Sequence, residues 1–244
     1  MKKEPLLLLF LLLTVAFTTS CSAGKRDSKS NDSKSFTVQN FNSISLKGGF
    51  TVNLSQGNTP GISVNAPDAL MDELNITVDN GELRIVDKRF NRDEHHDDWE
   101  NLARRIHLDI TVTSLENLKV SGYISLKTTE PLMSDNMDIG IEGGGKLKMD
   151  LVTENLGINI QGGMSMELAG QARSLISHIE GAGKISAYDM KTDRAEISID
   201  GAGYASVNVS EHLKVDLDGV GWVRYKGDPM VEKNINGVGF VSQE

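Results

Sequence analysis

The chain of 244 residues has one cysteine, Cys21, only five prolines, and an aromatic content of 5%. One cysteine rules out an internal disulfide framework. With so few aromatic side chains, the composition favours small and aliphatic residues on repeated strands over a large aromatic core. The formal net charge of −9 argues against nucleic acid as a partner. No cofactor is expected.

Glycine, in contrast, is abundant, with 24 residues. From residue 122 onward, glycine-containing segments return at spacings of 21, 19, 19, 20, 18 and 18 residues. A period of this kind is typical of one supersecondary unit that is copied and stacked. The segments begin at Gly122, Gly143, Gly162, Gly181, Gly201, Gly219 and Gly237.

Apolar residues alternate with polar ones on both sides of each glycine segment, which predicts strands. Before the segments the apolar pairs include Ile158 with Ile160 and Ile176 with Ile179; after them, Met164 alternates with Met166. Each unit therefore reads as strand, glycine corner, strand and turn. The predicted fold is all-β: a right-handed, parallel, β-helix-like solenoid with Gly-x-Gly corners and a less regular N-terminal β region.

The same glycines do not predict a nucleotide site. A phosphate-binding glycine loop lies between a strand and a helix, and no amphipathic helix pattern follows any corner. Nor does the sequence contain a serine or cysteine nucleophile paired with a histidine, since His107, His178 and His212 are isolated.

The N-terminal end has the pattern of a bacterial lipoprotein signal peptide. Lys2 and Lys3 precede an apolar run at 6–17, and small residues lead up to Cys21. The run is too short to span a bilayer, so lipid attachment at Cys21 is predicted, with ordinary cleavage at a nearby bond as the alternative. Residues 1–20 are then the signal peptide, 21–35 a polar flexible tether, and 36–244 one β domain.

Three local patterns are predicted within the N-terminal β region. Asn80-Gly81 lies between two alternating runs, which is the strongest short signal for a hairpin. Gly61 to Pro67 reads as a strand and Ala69 to Leu74 as a single helical turn. Gly48-Gly49 has the features of one further corner.

Several ordered segments resemble the head GIN domain family, described as "putative auto-transporter adhesin". They are FNSISLKGGFTVNLSQG, ISVNAPDALMDELNITVDNGELRI and IHLDITVTSLENLKVSGYISL, followed by the Gly-x-Gly units. The resemblance covers about residues 36 to 244 and implies a β-helix-like fold, but it supplies no catalytic or binding residues. Such domains are common in Bacteroidetes lipoproteins. In those proteins an acidic cluster after the lipidated cysteine resembles a surface-export tag. No such cluster follows Cys21, which favours the periplasmic face of the outer membrane over the cell surface.

The largest departure from the repeat is the charged segment Asp87 to His107, which is predicted to be a loop with a short helix near Asp98 to Arg105. It contains His95, His96, Asp97 and Asp98 in succession. Adjacent residues cannot all face one ion, so a solvated loop is favoured and no metal site is predicted.

Two periodic sets of side chains are candidates for contact with a ligand. Glu142, Glu180, Asp200 and Asp218 each directly precede a corner and form an acidic ladder, interpreted as a solvated face. Trp222 and Tyr204 each follow a corner at equivalent positions, and Phe240 matches them in the last unit. Tyr188, Tyr204, Trp222 and Tyr225 lie in consecutive C-terminal units. A core ladder that caps the end of the solenoid is the favoured interpretation of this pattern. Tyr204 and Trp222 are the candidate ligand-binding residues if the pattern is instead an exposed surface.

The predicted function is a non-catalytic, lipid-anchored cell-envelope protein that acts as an adhesin or as a glycan- or protein-binding module. A polysaccharide-acting enzyme and a periplasmic scaffold are the alternatives. An enzyme would need an acid and a base that converge in one groove. A scaffold could use the open edge of the last unit, near Glu244, to pair with a partner or a second copy.

Overall fold

The computed structural model describes residues 31–92 and 99–244, and the chain in these ranges is all-β, as predicted. One open, mixed sheet has the strand order β1-β3-β6-β2-β7-β8-β9, with β5 beside β2 and β4 beside β5. The strands are β1 (Asn31–Thr37), β2 (Ser43–Gln56), β3 (Gly61–Pro67), β4 (Leu74–Asp79), β5 (Glu82–Asp87), β6 (His107–Val112), β7 (Asn117–Thr128), β8 (Leu132–Lys226) and β9 (Met230–Gln243). The helical elements are α1 (Asp68–Met71), a 3₁₀ helix (Lys88–Arg92) and α2 (Trp99–Ala103).

The predicted glycine corners lie on top of one another. Gly122 pairs with Gly143 between β7 and β8, and Gly219 pairs with Gly237 between β8 and β9, in parallel register. Inside β8, a Cβ on Gly162 would lie 2.1 Å from the carbonyl oxygen of Gly143. The stack starts at Gly48, and its members have φ values between +112° and +149°. Only glycine fits here, because the backbone of the preceding unit occupies the space of a side chain.

The core lies along the inward positions on both sides of this stack. Ile160 and Met166, for example, are completely buried. The predicted inward pair Ile176 and Ile179 is wrong in its first member: Ile176 is 55% exposed, whereas Ser177 is 1% exposed. Leu175, Ser177 and Ile179 alternate strictly with their neighbours and point inward. Ser177 is therefore inside, and Ile176, between Leu175 and Ser177, points outward.

The N-terminal predictions are largely confirmed. β4 and β5 form an antiparallel hairpin whose turn residues, Asn80 and Gly81, have φ values of 49° and 78°. β3 has the predicted bounds, and α1 and α2 lie at the predicted helical turns. The predicted domain start at Phe36 needs correction. Residues 31–35 belong to β1, which pairs antiparallel with β3, because backbone pairing at an edge does not require apolar side chains.

The charged segment occupies an expanded corner. β5 pairs with the first leg of β2 up to Lys47, and β6 pairs with its second leg from Thr51. The connection between β5 and β6, described at residues 88–92 and 99–106, is therefore much longer than residues 48–50, which connect the two legs of β2. Asp87 is completely buried and accepts a hydrogen bond of 2.9 Å from Nε of Arg89, whose terminal nitrogen also contacts it. Residues 95–98, which carry the two adjacent histidines, lie outside the described ranges.

In the part of the chain that the structure describes, no helix is long and apolar enough to cross a membrane.

Candidate functional site

The third residue after each stacked glycine lies on the outer surface, and together these residues form what we term the outer row. The positions that follow them, such as Val52 and Val223, are buried, so strand alternation turns the row outward. No member of the row is acidic. Its members are Thr51, Ser125, Lys146, Ser165, Lys184, Tyr204, Trp222 and Phe240.

The aromatic end of the outer row is exposed rather than buried. Trp222 is 43% exposed and Phe240 is 45% exposed. Their rings meet edge to face, with centroids 6.2 Å apart and planes inclined by 68°. Val220 and Val238 lie exposed one residue after their glycines, which extends the apolar surface. The favoured interpretation of a buried aromatic ladder is therefore wrong for Trp222 and Phe240.

The tyrosines are divided among three environments. Tyr204, in the outer row, is half-buried, and Nζ of Lys184 lies 5.9 Å from its ring centroid. Tyr225 packs against the core. Tyr188 is half-buried beside Nζ of Lys226, which lies 4.4 Å from the ring centroid. Of the five aromatic residues named from the sequence, Tyr204, Trp222 and Phe240 share one row.

A groove of about 670 Å³, here the tyrosine groove, runs beside the outer row. Tyr188 and Tyr204 line one end, and Lys148 and Glu167, joined by an ion pair of 3.3 Å, line the other. Small residues such as Ser186 and Ser206 form its base, which is why the surface is concave there. Its remaining carboxylates belong to Glu130, Asp150 and Asp189, and each is exposed or half-buried.

The hydroxyl group of Tyr188 is the most perturbed group in this groove. Its oxygen is buried and has no hydrogen bond of ordinary geometry among the described residues. Burial raises the pKa of Tyr188 to about 12, and the nearby Glu244 carboxylate adds to the shift. Glu244 in turn lies 3.5 Å from Nζ of Lys226.

A second groove, of about 560 Å³, continues from the first and shares Lys148 and Glu167 with it. We term it the lysine groove, because Lys127, Lys146 and Lys148 line it together. Lys127 stands directly opposite Lys148 in the β7–β8 ladder. Like charges in that position repel each other, and the ion pair of Lys148 with Glu167 offsets part of this repulsion.

The acidic ladder lies on the other side of the corners, away from both grooves. Glu142, Glu180, Asp200 and Asp218 are exposed, and Glu142 accepts a hydrogen bond of 3.3 Å from the Ser121 hydroxyl. This agrees with the predicted solvated face.

The histidines outside the charged segment remain separate. The Nε2 atom of His107 lies 3.1 Å from the Arg104 carbonyl oxygen, and His178 is half-buried and His212 exposed. Across residues 31–92 and 99–244, no three histidine, cysteine or acidic side chains are grouped as metal ligands.

Sequence reasoning found Tyr204 and Trp222 but missed the residues around them. Counting three positions from each corner would have aligned Lys184 and Lys146 with Tyr204. No comparable signal marks Tyr188, because its role depends on Lys226 and Glu244, which belong to later units.

A family model described as "Putative auto-transporter adhesin, head GIN domain" matches residues 40–229. The chain belongs to the head GIN domain family. The matched residues include both grooves and the outer row as far as Trp222. No match was found among curated proteins.

Solved structures of similar fold include two putative adhesins. The protein from Bacteroides fragilis has a TM-score of 0.77 and 22% identity, covering 89% of this chain and 98% of its own. The protein from Parabacteroides merdae has a TM-score of 0.66 and 22% identity, covering 87% and 95%. A putative lipid binding protein from Parabacteroides distasonis has a TM-score of 0.64 and 21% identity, covering 89% and 98%. At these identities the likeness establishes the shared head GIN fold alone.

Proposed function

We propose that this head GIN protein is a non-catalytic adhesin that contacts glycans through the outer row. The observation that carries the proposal is the exposed edge-to-face pair of Trp222 and Phe240, in line with Tyr204. Exposed aromatic rings that project from a rigid sheet provide apolar faces for sugar rings, and an unpaired apolar surface of this kind marks a contact site.

The repeat supplies the rigidity that such a surface needs. Corner glycines that stack in parallel register, with ion pairs and hydrogen bonds between residues 17 to 20 apart, support a right-handed β-helix-like solenoid. In that arrangement equivalent side chains stand about 4.8 Å apart along the stack. A linear polymer can then contact several units at once, and each weak contact adds to the total affinity.

Binding without turnover is favoured by the tyrosine groove. A general acid that works near neutral pH must keep its proton, which normally requires a buried carboxyl group. The groove carboxylates are exposed or half-buried, and Glu167 is already paired with Lys148. The family description as an adhesin and the two adhesin relatives point in the same direction.

The location belongs to the same proposal. Lipid on Cys21 would anchor the chain in the outer membrane, with residues 22–30 as a polar spacer and the periplasmic face favoured. The test is mass spectrometry of the protein from native membranes. An acylated mature chain that starts at Cys21 is expected, and an unmodified chain that starts elsewhere would refute the anchor.

The binding proposal is tested with a glycan array and a polysaccharide depolymerisation assay. The mature chain, residues 21–244 with Cys21→Ser for solubility, is compared with Trp222→Ala and Tyr204→Ala. Phe36→Ala is the matched control, because Phe36 is also an exposed aromatic residue, at 37%, but lies on β1. Binding that only the first two variants lose is expected. Release of products would identify an enzyme instead.

A further inference from the structure

The lysine groove departs from the way in which this chain otherwise arranges its outward charges. Neighbouring units elsewhere place opposite charges together, as in Arg173 with Glu154 at 2.9 Å and Lys214 with Glu196 at 2.6 Å. In these pairs the charge of a side chain in one unit is neutralised by the opposite charge of a side chain in the neighbouring unit. Within the described ranges, Lys127 and Lys146 have no ion pair, although both are exposed and line the same groove. Their positive charge is thus available to a ligand.

The geometry of the groove sets the kind of ligand that fits. Lys146 is in the outer row, and Lys148 follows two residues later on the same face, directly opposite Lys127. Three ammonium groups therefore lie on two adjacent units. That of Lys148 is paired with Glu167 at 3.3 Å, whereas those of Lys127 and Lys146 are not paired within the described ranges. Ser125 and Ser165 flank Lys146 along the row and provide hydroxyl groups for hydrogen bonds. Such a site suits an anionic group that is carried on a hydroxyl-rich chain.

The outer row continues from this site to the aromatic end without an acidic residue. A chain that leaves Lys146 passes Lys184, which lies over Tyr204, and then reaches Trp222. From Lys146 to Trp222 is four units, or about 19 Å at the ordinary strand spacing. One polymer could therefore place its anionic groups on the lysines and its ring faces on the aromatic residues.

We propose that the lysine groove binds the anionic groups of an acidic polysaccharide, which extends along the outer row to Tyr204 and Trp222. This inference rests on the proposed glycan-binding function and adds the charge class of the ligand. The lysine ammonium group is a compact point charge that binds carboxylate and sulfate groups alike. A polysaccharide that carries either group therefore suits the lysine groove.

The test compares polymers that share a backbone but differ in charge. The mature chain, residues 21–244 with Cys21→Ser, is titrated with polygalacturonate and with its methyl-esterified form, whose carboxylates are neutral. Chondroitin sulfate and unsulfated chondroitin both carry carboxylates, so that pair isolates the contribution of sulfate. We expect tighter binding of the more highly charged member of at least one pair, and loss of that difference as salt screens the charges.

The groove variant is Lys127→Gln/Lys146→Gln/Lys148→Gln. Its matched control is Lys47→Gln/Lys119→Gln/Lys233→Gln, which removes the same charge from exposed lysines outside both grooves. About tenfold weaker binding of the charged polymer is expected for the groove variant, with less than about twofold change in the control. Lys146→Gln alone should give a smaller loss in the same direction, and equal unfolding midpoints verify that the variants fold.

The outcomes separate this inference from the broader proposal. Equal binding of charged and neutral polymers that depends on Trp222 but not on the lysines refutes the lysine groove and leaves the glycan-binding function in place. Binding that depends on the lysines but not on Trp222 retains the anion site and refutes the aromatic contact. Binding to none of the polymers refutes both. Equal affinity for duplex DNA or for anionic lipid vesicles refutes the choice of polysaccharide.

Discussion

The indole ring of Trp222 in β8 meets the phenyl ring of Phe240 in β9 edge to face, 6.2 Å apart between centroids. The two residues are direct partners across the ladder, so the contact links the last strand of the sheet to the unit before it. A pair of this geometry stabilises by about 0.5–1.5 kcal/mol beyond the area that it buries.

The first prediction concerns this pair. Trp222→Leu and Phe240→Leu should each lower the free energy of unfolding, and the double variant should lose less than the sum of the two. The expected coupling is about 0.5–1 kcal/mol, and it is measured by urea unfolding of the four proteins. A coupling of zero would show that the two rings are independent in solution.

The second prediction concerns the glycine stack. In Gly162→Ala the new Cβ meets the Gly143 carbonyl oxygen at 2.1 Å, and φ stays at +126°, so we expect a loss of about 3 kcal/mol or more in unfolding free energy. Gly163→Ala is the control, since a Cβ there meets nothing within 4 Å. Its change should stay within about 0.5 kcal/mol. Similar losses for both variants in thermal or urea unfolding would contradict the stacked corner.

The third prediction concerns the expanded corner. Asp87 is fully buried and its carboxylate is held by Arg89. Asp87→Ala should therefore cost about 2–3 kcal/mol, because it removes the partner of a largely buried cation. Glu82→Ala, which breaks the exposed pair with Arg84, should cost less than about 1 kcal/mol. Urea unfolding of both variants measures the two losses in unfolding free energy. If the loss for Asp87→Ala does not exceed that for Glu82→Ala by more than the fitting error, then the buried pair of Asp87 with Arg89 does not stabilise the corner.

Local sequence patterns predicted the elements that depend on backbone conformation alone. Asn80-Gly81 specifies its hairpin because both residues adopt positive φ, and the corner glycines specify their stack because no side chain fits. The strand β1 was missed because its residues are polar and are held by backbone pairing with β3. Ser177 was missed because hydrophobicity marked its neighbour Ile176, while the pleat decides which side chain turns inward.

In the candidate site, the sequence predicts the aromatic residues of the outer row but not the two grooves. Trp222 and Tyr204 occupy equivalent positions after a corner, so the period of the sequence finds them. The tyrosine groove depends on the absence of bulk at Ser186 and Ser206, and a gap leaves no signal in hydrophobic periodicity. The lysine groove requires the register between β7 and β8, which pairs Lys127 with Lys148 only once the units are aligned.

The last prediction concerns Tyr188, whose pKa is raised to about 12 by burial and by Glu244. In the unfolded chain a tyrosine ionises near pH 10. The folded state therefore holds this proton more tightly, and the stability that it contributes is complete below about pH 10 and is lost as the pH rises through 12. Tyr188→Phe should remove the tyrosinate absorbance that appears near pH 12 and should flatten the fall of stability between pH 10 and 12. Glu244→Gln should lower the pKa of Tyr188 only part of the way towards 10, because burial is the larger cause. If Tyr188 titrates near pH 10 in the intact protein, then its hydroxyl group is open to water in solution and is not buried.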